Sequence, residues 1–161
     1  MTVKTISTGD KAPGFTIKDQ NGNDFSLGSL AGKWIVLYFY PKDNTPGCTT
    51  EAVEFSGAKE SLFKKGVEVL GVSPDSVSSH KNFIDKKELT ITLLSDPDKV
   101  ALKQYGVWQL KKNYGREYFG VVRSTFIISP EMRIAYAWRS VKVKGHVEAV
   151  EKKLNELMIK K

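Results

Sequence analysis

The sequence predicts a mixed α/β fold, a sheet flanked by helices, from three features. Two continuous apolar runs, Trp34 to Tyr40 and Val67 to Ser73, have the β-branched and aromatic content of strands covered on both faces. Between them Cys48, Ala52, Phe55 and Leu62 recur at spacings of four, three and seven, which places them on one stripe of a helix. Late in the chain, two strand-like segments around a proline turn lead into a closing amphipathic helix.

In order, Phe15 and Ile17, then Phe25 and Leu27, alternate with polar residues on either side of Asp19-Gln20-Asn21-Gly22-Asn23, a β-hairpin with an Asn-Gly turn. Ser26 to Gly32 reads as a short helical turn. Pro41 ends the first long strand, and the following helix begins at the only cysteine and stops at Gly66. After the second strand, Ser76 to Lys87 is a helix entered through Ser73-Pro74-Asp75, with Val77, Phe83 and Ile84 apolar. Leu93 to Asp96 is a short strand, and Asp96-Pro97-Asp98 marks the start of a short helix from Lys99 to Tyr105. Gly106 to Gly120 reads as irregular. Val121 to Ile128 and Arg133 to Trp138 form two strands around Ser129-Pro130-Glu131, and Val147, Val150, Leu154 and Leu157 mark the last helix. Among compact α/β folds this order is the thioredoxin-like arrangement, with an N-terminal β-hairpin added, in a single domain over residues 1–161. Its reactive crevice lies at the C-terminal end of a central strand, where the loop carrying Cys48 falls.

The composition narrows the function classes. With 40% hydrophobic and 27% charged residues the chain is globular, and no apolar run approaches a membrane span. The stretch MTVKTISTGDKAPGF has no export or organelle pattern, so a cytoplasmic location and no membrane partner are expected. The net charge of +7 is spread along the chain and dense only around Lys142, Lys144, Lys152, Lys153, Lys160 and Lys161, a solvated face rather than a nucleic-acid site. One cysteine makes no intramolecular disulfide, and a lone thiol is either a small buried hydrophobe or a nucleophile. Its place at a helix start makes it a candidate nucleophile, because unpaired N–H groups and the helix dipole stabilise a thiolate there, although packing is the commoner role of a lone cysteine.

The loop Thr45-Pro46-Gly47-Cys48 resembles a C-x-x-C redox motif with a hydroxyl in place of the first cysteine. It cannot cycle through its own disulfide, so dithiol chemistry is disfavoured. Thr45 can hydrogen-bond the thiolate or a substrate oxygen. Pro41 and Pro46 either stiffen the loop and shield the sulfur or simply end a strand and begin a helix. Tyr40 and Trp138 line a pocket or belong to the core. His80 and His146, far apart, have no metal-ligand spacing, and neither a metal nor a cofactor is expected.

Pro41, Thr45 and Cys48 in PKDNTPGC, followed by TTEA, resemble the PxxxTxxC active site of the peroxiredoxins, and the match is close to the bacterioferritin comigratory protein or peroxiredoxin Q subgroup. The resemblance runs from Gly9-Asp10-Lys11-Ala12-Pro13 through GKWIVLYFYPKDNTPGCTTEA and RSTFIISP to AWRSVKVKGH. It implies a thioredoxin-like thiol peroxidase that reduces hydrogen peroxide and organic hydroperoxides, with Cys48 the thiolate oxidised to sulfenic acid. It also implies that Arg123 is the active-site arginine, whose fixed donors stabilise the thiolate and hold a peroxide oxygen. Glu51 is either a first-turn capping residue or, by the same resemblance, the partner that orients Arg123.

Many members of this subgroup carry a resolving cysteine five residues after the first or on the next helix. Val53 and Ile84 stand at those positions here, so an external thiol must reduce oxidised Cys48: glutathione with glutaredoxin, thioredoxin, or another small thiol. A second enzymatic reading is a monothiol disulfide reductase of glutaredoxin type. A third, from a different class, is a binding module or holdase with Cys48 as packing. Assembly as a monomer or weak dimer is expected.

Overall fold

The structure, a computed structural model, describes residues 6–159. In chain order its elements are β1 (Thr16–Asp19), β2 (Asp24–Ser26), a 3-10 turn (Leu27–Leu30), β3 (Trp34–Phe39), α1 (Pro46–Lys64), β4 (Val67–Ser73), α2 (Val77–Lys87), β5 (Thr92–Ser95), α3 (Val100–Gln104), β6 (Trp108–Asn113), β7 (Arg116–Val121), β8 (Ser124–Ile128), β9 (Ile134–Trp138) and α4 (His146–Ile159). Seven strands make one sheet in the order β2-β1-β5-β4-β3-β8-β9. Strand β3 runs parallel to β4 and antiparallel to β8, and β1 joins the hairpin to β5. This is the mixed sheet with an N-terminal hairpin that the sequence predicts.

All six residues of β3 are buried, because the strand divides the core. Successive side chains of a strand point to opposite faces. Ile35, Leu37 and Phe39 meet Leu70, Val72, Phe126 and α3 on one side. Trp34, Val36, Tyr38 and Tyr40 meet α1 and α4 on the other, through Cys48, Ala52, Phe55, Leu62, Val150 and Leu154. The stripe read from the sequence is therefore the buried face of α1. Opposite Tyr38 in β4 stands Gly71, where an added Cβ would lie 2.7 Å from Tyr38 Cζ. Only a residue without a side chain lets the tyrosine ring cross there.

Two expectations need correction. The stretch from Gly106 to Gly120 is not irregular: β6 and β7 form an antiparallel ribbon apart from the main sheet, closed by Tyr114 and Gly115 at φ 52° and 77°. A two-residue turn with both φ values positive suits the strand twist. Tyr-Gly is a weaker turn signal than Asn-Gly, and the ribbon's Leu110 and Phe119 are exposed, so no alternating pattern announces it. Nor do Val121 to Ile128 form one strand. The ladder breaks at Val122 and Arg123, because Val122 N donates to the Val107 carbonyl at 2.8 Å and the Arg123 carbonyl accepts from Val141 N at 2.9 Å. Among the described residues no helix is long and apolar enough to cross a membrane.

Candidate active site

The chain leaves β3 at Tyr40, turns through residues 41–45 and enters α1 with Pro46 in the first helical position, where a missing N–H costs nothing. Cys48 thus stands in the first turn of the helix rather than at its start, and it is only 1% exposed. Asn44 occupies the left-handed region at φ 63°, which asparagine tolerates better than most residues. Thr45 is the N-cap residue, but its hydroxyl donates to the Lys42 carbonyl at 2.8 Å and makes no cap bond. Its proton is therefore not directed at the sulfur. Its oxygen lone pairs remain to accept a bond.

Arg123 comes to the helix from the break before β8. Its Nη2 donates to Cys48 Sγ at 3.1 Å and its Nη1 to Glu51 Oε1 at 2.5 Å, so one guanidinium bridges the sulfur and a fully buried carboxylate. The fit is close: a Cβ on Gly47 would approach Arg123 Nη2 to 3.4 Å and Val143 Cγ2 to 3.9 Å. Glu51 does not act as a capping residue for α1. Its carboxylate faces Arg123, and its second oxygen, Oε2, has no hydrogen-bond partner among the described residues. Burial pushes the Glu51 carboxyl up to about 7, against the opposing pull of the Arg123 charge and hydrogen bond. Burial also works against the charge on Arg123, but Glu51 and Cys48 outweigh it and hold the guanidinium above its usual value.

Pro41, partly exposed, ends the strand beside this group. The structure thus brings together Cys48, Arg123 and Glu51 in direct contact, with Thr45 and Pro41 in the adjoining loop. Sequence reasoning gave no role to Gly47, to Val143, which a Cβ on Gly47 would meet from nearly a hundred residues further on, or to His146. The latter is buried, with Nε2 2.8 Å from Thr125 Oγ1, and burial together with the nearby Arg123 charge lowers it to about 4, so it is neutral. Tyr40 belongs to the core, and its hydroxyl donates to Asp43 at 2.6 Å.

A buried cysteine bonded to arginine on this fold has known counterparts. The pattern of the AhpC/TSA family matches residues 8–137. The chain belongs to that family. It is 46% identical over 153 residues to peroxiredoxin Bcp of Bacillus subtilis, covering 95% of this chain and 98% of the relative. Among solved structures it resembles a cysteine-to-serine variant of PrxQ from Xylella fastidiosa, at 39% identity and a TM-score of 0.92 over 96% of this chain and 99% of that one. It also resembles the bacterioferritin comigratory protein of Xanthomonas campestris, described for its alkyl peroxide reduction, at 42% identity and a TM-score of 0.85 over 88% and 90%. The chain is a thioredoxin-fold peroxiredoxin of the Bcp and PrxQ kind, a thiol-dependent peroxidase and not a monothiol disulfide reductase. Its substrate class is peroxides and its reductant a thiol.

Proposed function

We propose that Cys48 is the peroxidatic thiolate and that Arg123, Glu51, Thr45 and Pro41 form its site. The observation that carries this reading is the guanidinium of Arg123 held between Cys48 Sγ and Glu51 Oε1. A charge-assisted donor at the sulfur supplies the positive charge that a thiolate needs. The remaining guanidinium donors suit the peroxide oxygens, where negative charge develops as the O–O bond breaks. Sulfur attacks one oxygen, an S–O bond forms, and the second oxygen leaves as water or alcohol after taking a proton. Cys48 loses two electrons and becomes a sulfenic acid.

Each remaining residue has a distinct task. Thr45, with its own proton committed to Lys42, accepts a hydrogen bond from the peroxide O–H and so orients it for in-line attack. Pro41 walls the loop without offering a competing donor. Glu51 positions Arg123. With one cysteine in the chain, an external thiol attacks the sulfenic sulfur and releases water, and a second thiol frees Cys48 from the mixed disulfide. Glutathione with glutaredoxin, thioredoxin and other small thiols are the candidate reductants. Hydrogen peroxide and organic hydroperoxides are the candidate oxidants, in line with the alkyl peroxide reduction described for the Xanthomonas protein. A reducing, cytoplasmic setting and a monomer or weak dimer complete this reading.

The test mixes reduced protein with about one equivalent of peroxide, traps the sulfenate, and then measures turnover with each reductant beside Cys48→Ser. Rapid thiol loss that depends on Arg123 is expected. Equally slow oxidation in wild type and Arg123→Ala sinks the assignment.

A further inference from the structure

Beneath the loop that carries Thr45 lies a second group of titratable residues outside the chemistry above. Asp43 in that loop and His80 in the first turn of α2 have side chains 1% and 0% exposed, with His80 Nδ1 2.8 Å from Asp43 Oδ2. The other ring nitrogen, Nε2, lies 2.9 Å from the Leu94 carbonyl oxygen. A carbonyl has no proton to give, so Nε2 carries one. The Asp43 carboxylate meanwhile accepts from the Tyr40 hydroxyl on Oδ1 at 2.6 Å and from the Ser79 hydroxyl on Oδ2 at 2.8 Å. Donors converging on a carboxylate favour its charged form.

The contact between Nδ1 and Oδ2 therefore joins a ring already protonated on Nε2 to a carboxylate that two other donors hold, both groups buried. Both ring nitrogens are thus engaged. The cluster of Asp43, Asp75 and His80, whose ligand-type atoms all lie within 4.8 Å of one another, thus offers a cation no imidazole ligand.

The pair anchors the loop at its middle. Asp43 N donates to Asp75 Oδ2 at 2.7 Å, and the same oxygen takes the Ser73 hydroxyl at 2.8 Å, which ties the loop to the end of β4. The next residue is the left-handed Asn44, and Thr45 then closes the turn onto Lys42. Loosening Asp43 would let the turn relax and carry Thr45 away from the sulfur.

We propose that His80 and Asp43 are positioning residues, an imidazolium–carboxylate pair that sets the Pro41 to Thr45 loop for peroxide reduction at Cys48. The kinetic consequence rests on the peroxidase reading; the protonation state of His80 does not.

Two measurements test it. A long-range proton–nitrogen spectrum of the reduced, labelled protein at neutral pH reads the ring nitrogens directly, with neutral His146 as the internal reference. Protons on both His80 nitrogens support the pair, and a bare His80 nitrogen overturns it, whether or not Cys48 proves to reduce peroxide. In the second, His80→Ala and Asp43→Ala are expected to slow oxidation of Cys48 by peroxide about tenfold to a hundredfold, the cost of ångström-scale misplacement. Alkylation of Cys48 by iodoacetamide needs no contact with Thr45 and is expected to change less than about threefold on the same argument. Equal losses in both reactions, or unchanged peroxide rates, overturn the positioning role.

Discussion

Replacing Arg123 by methionine removes the guanidinium while keeping the apolar stem. Two contacts vanish, the 3.1 Å bond to Cys48 Sγ and the 2.5 Å bond to Glu51 Oε1. Loss of one preorganised donor aimed at developing charge costs about 10²–10³ in rate, roughly 3–4 kcal/mol, and Arg123 additionally holds the attacking sulfur. The second-order rate constant for peroxide should therefore fall at least about a hundredfold. Stability should fall less than the roughly 3–5 kcal/mol of a stranded buried charge, because Glu51, already at about 7 beside its partner, can take up a proton. Adding Glu51→Gln to Arg123→Met should then leave the rate as low while recovering stability. Stopped-flow thiol loss with sulfenate trapping gives the rates, and urea denaturation gives the stabilities. An Arg123→Met rate within about threefold of wild type would refute the placement of transition-state donors in this guanidinium.

The Glu51 carboxyl is raised from 4.5 to about 7, so the folded state holds a proton that the unfolded state has released between those values. Stability conferred by that bound proton is present below about 4.5 and lost as pH rises through about 7, a change of about 3 kcal/mol for a fully buried group. Denaturation of wild type and Glu51→Gln from acid to neutral pH should show wild type losing ground; parallel curves would contradict the raised carboxyl. Tyr38→Phe deletes a buried hydroxyl with no partner among the described residues and should raise stability by about 1 kcal/mol, read as a higher melting temperature. Gly71→Ala drives a methyl to within 2.7 Å of Tyr38 Cζ and 2.9 Å of Leu93 Cδ2 and should cost about 1–3 kcal/mol in urea denaturation. In Val53→Cys the new thiol lies roughly 140° around α1 from Cys48 at 100° per residue, on the exposed face. Peroxide treatment should yield an intramolecular disulfide only with loss of helical circular dichroism; a disulfide formed with α1 intact would show the helix to be differently placed.

The sequence made much of the scaffold legible because local patterns carried it. Trp34 to Phe39 had the unbroken apolar content of a strand buried on both sides, and it is that strand. Cys48, Ala52, Phe55 and Leu62 lay at helical spacing, and all four are buried on α1. The β6–β7 ribbon carries no such pattern, because most of its residues are exposed, only Val121 is buried, and its Tyr-Gly turn is uncommon. The break at Val122 and Arg123 was invisible for another reason: the backbone partners that interrupt the strand, Val107 and Val141, come from distant loops.

By itself the sequence determined the lone thiol, its place in the first turn of a helix, and, through Val53 and Ile84, the lack of a second thiol to resolve it. These are properties of order along the chain. Only the tertiary structure decided what surrounds the sulfur. It brought Arg123 across 75 positions to Sγ, turned Glu51 away from its own helix end, spent the Thr45 proton on Lys42, and set His80 under the loop. The reason is that hydrogen bonds and ion pairs act over about 3 Å in space, and a chain specifies such separations only after its strands have paired and its helices have packed.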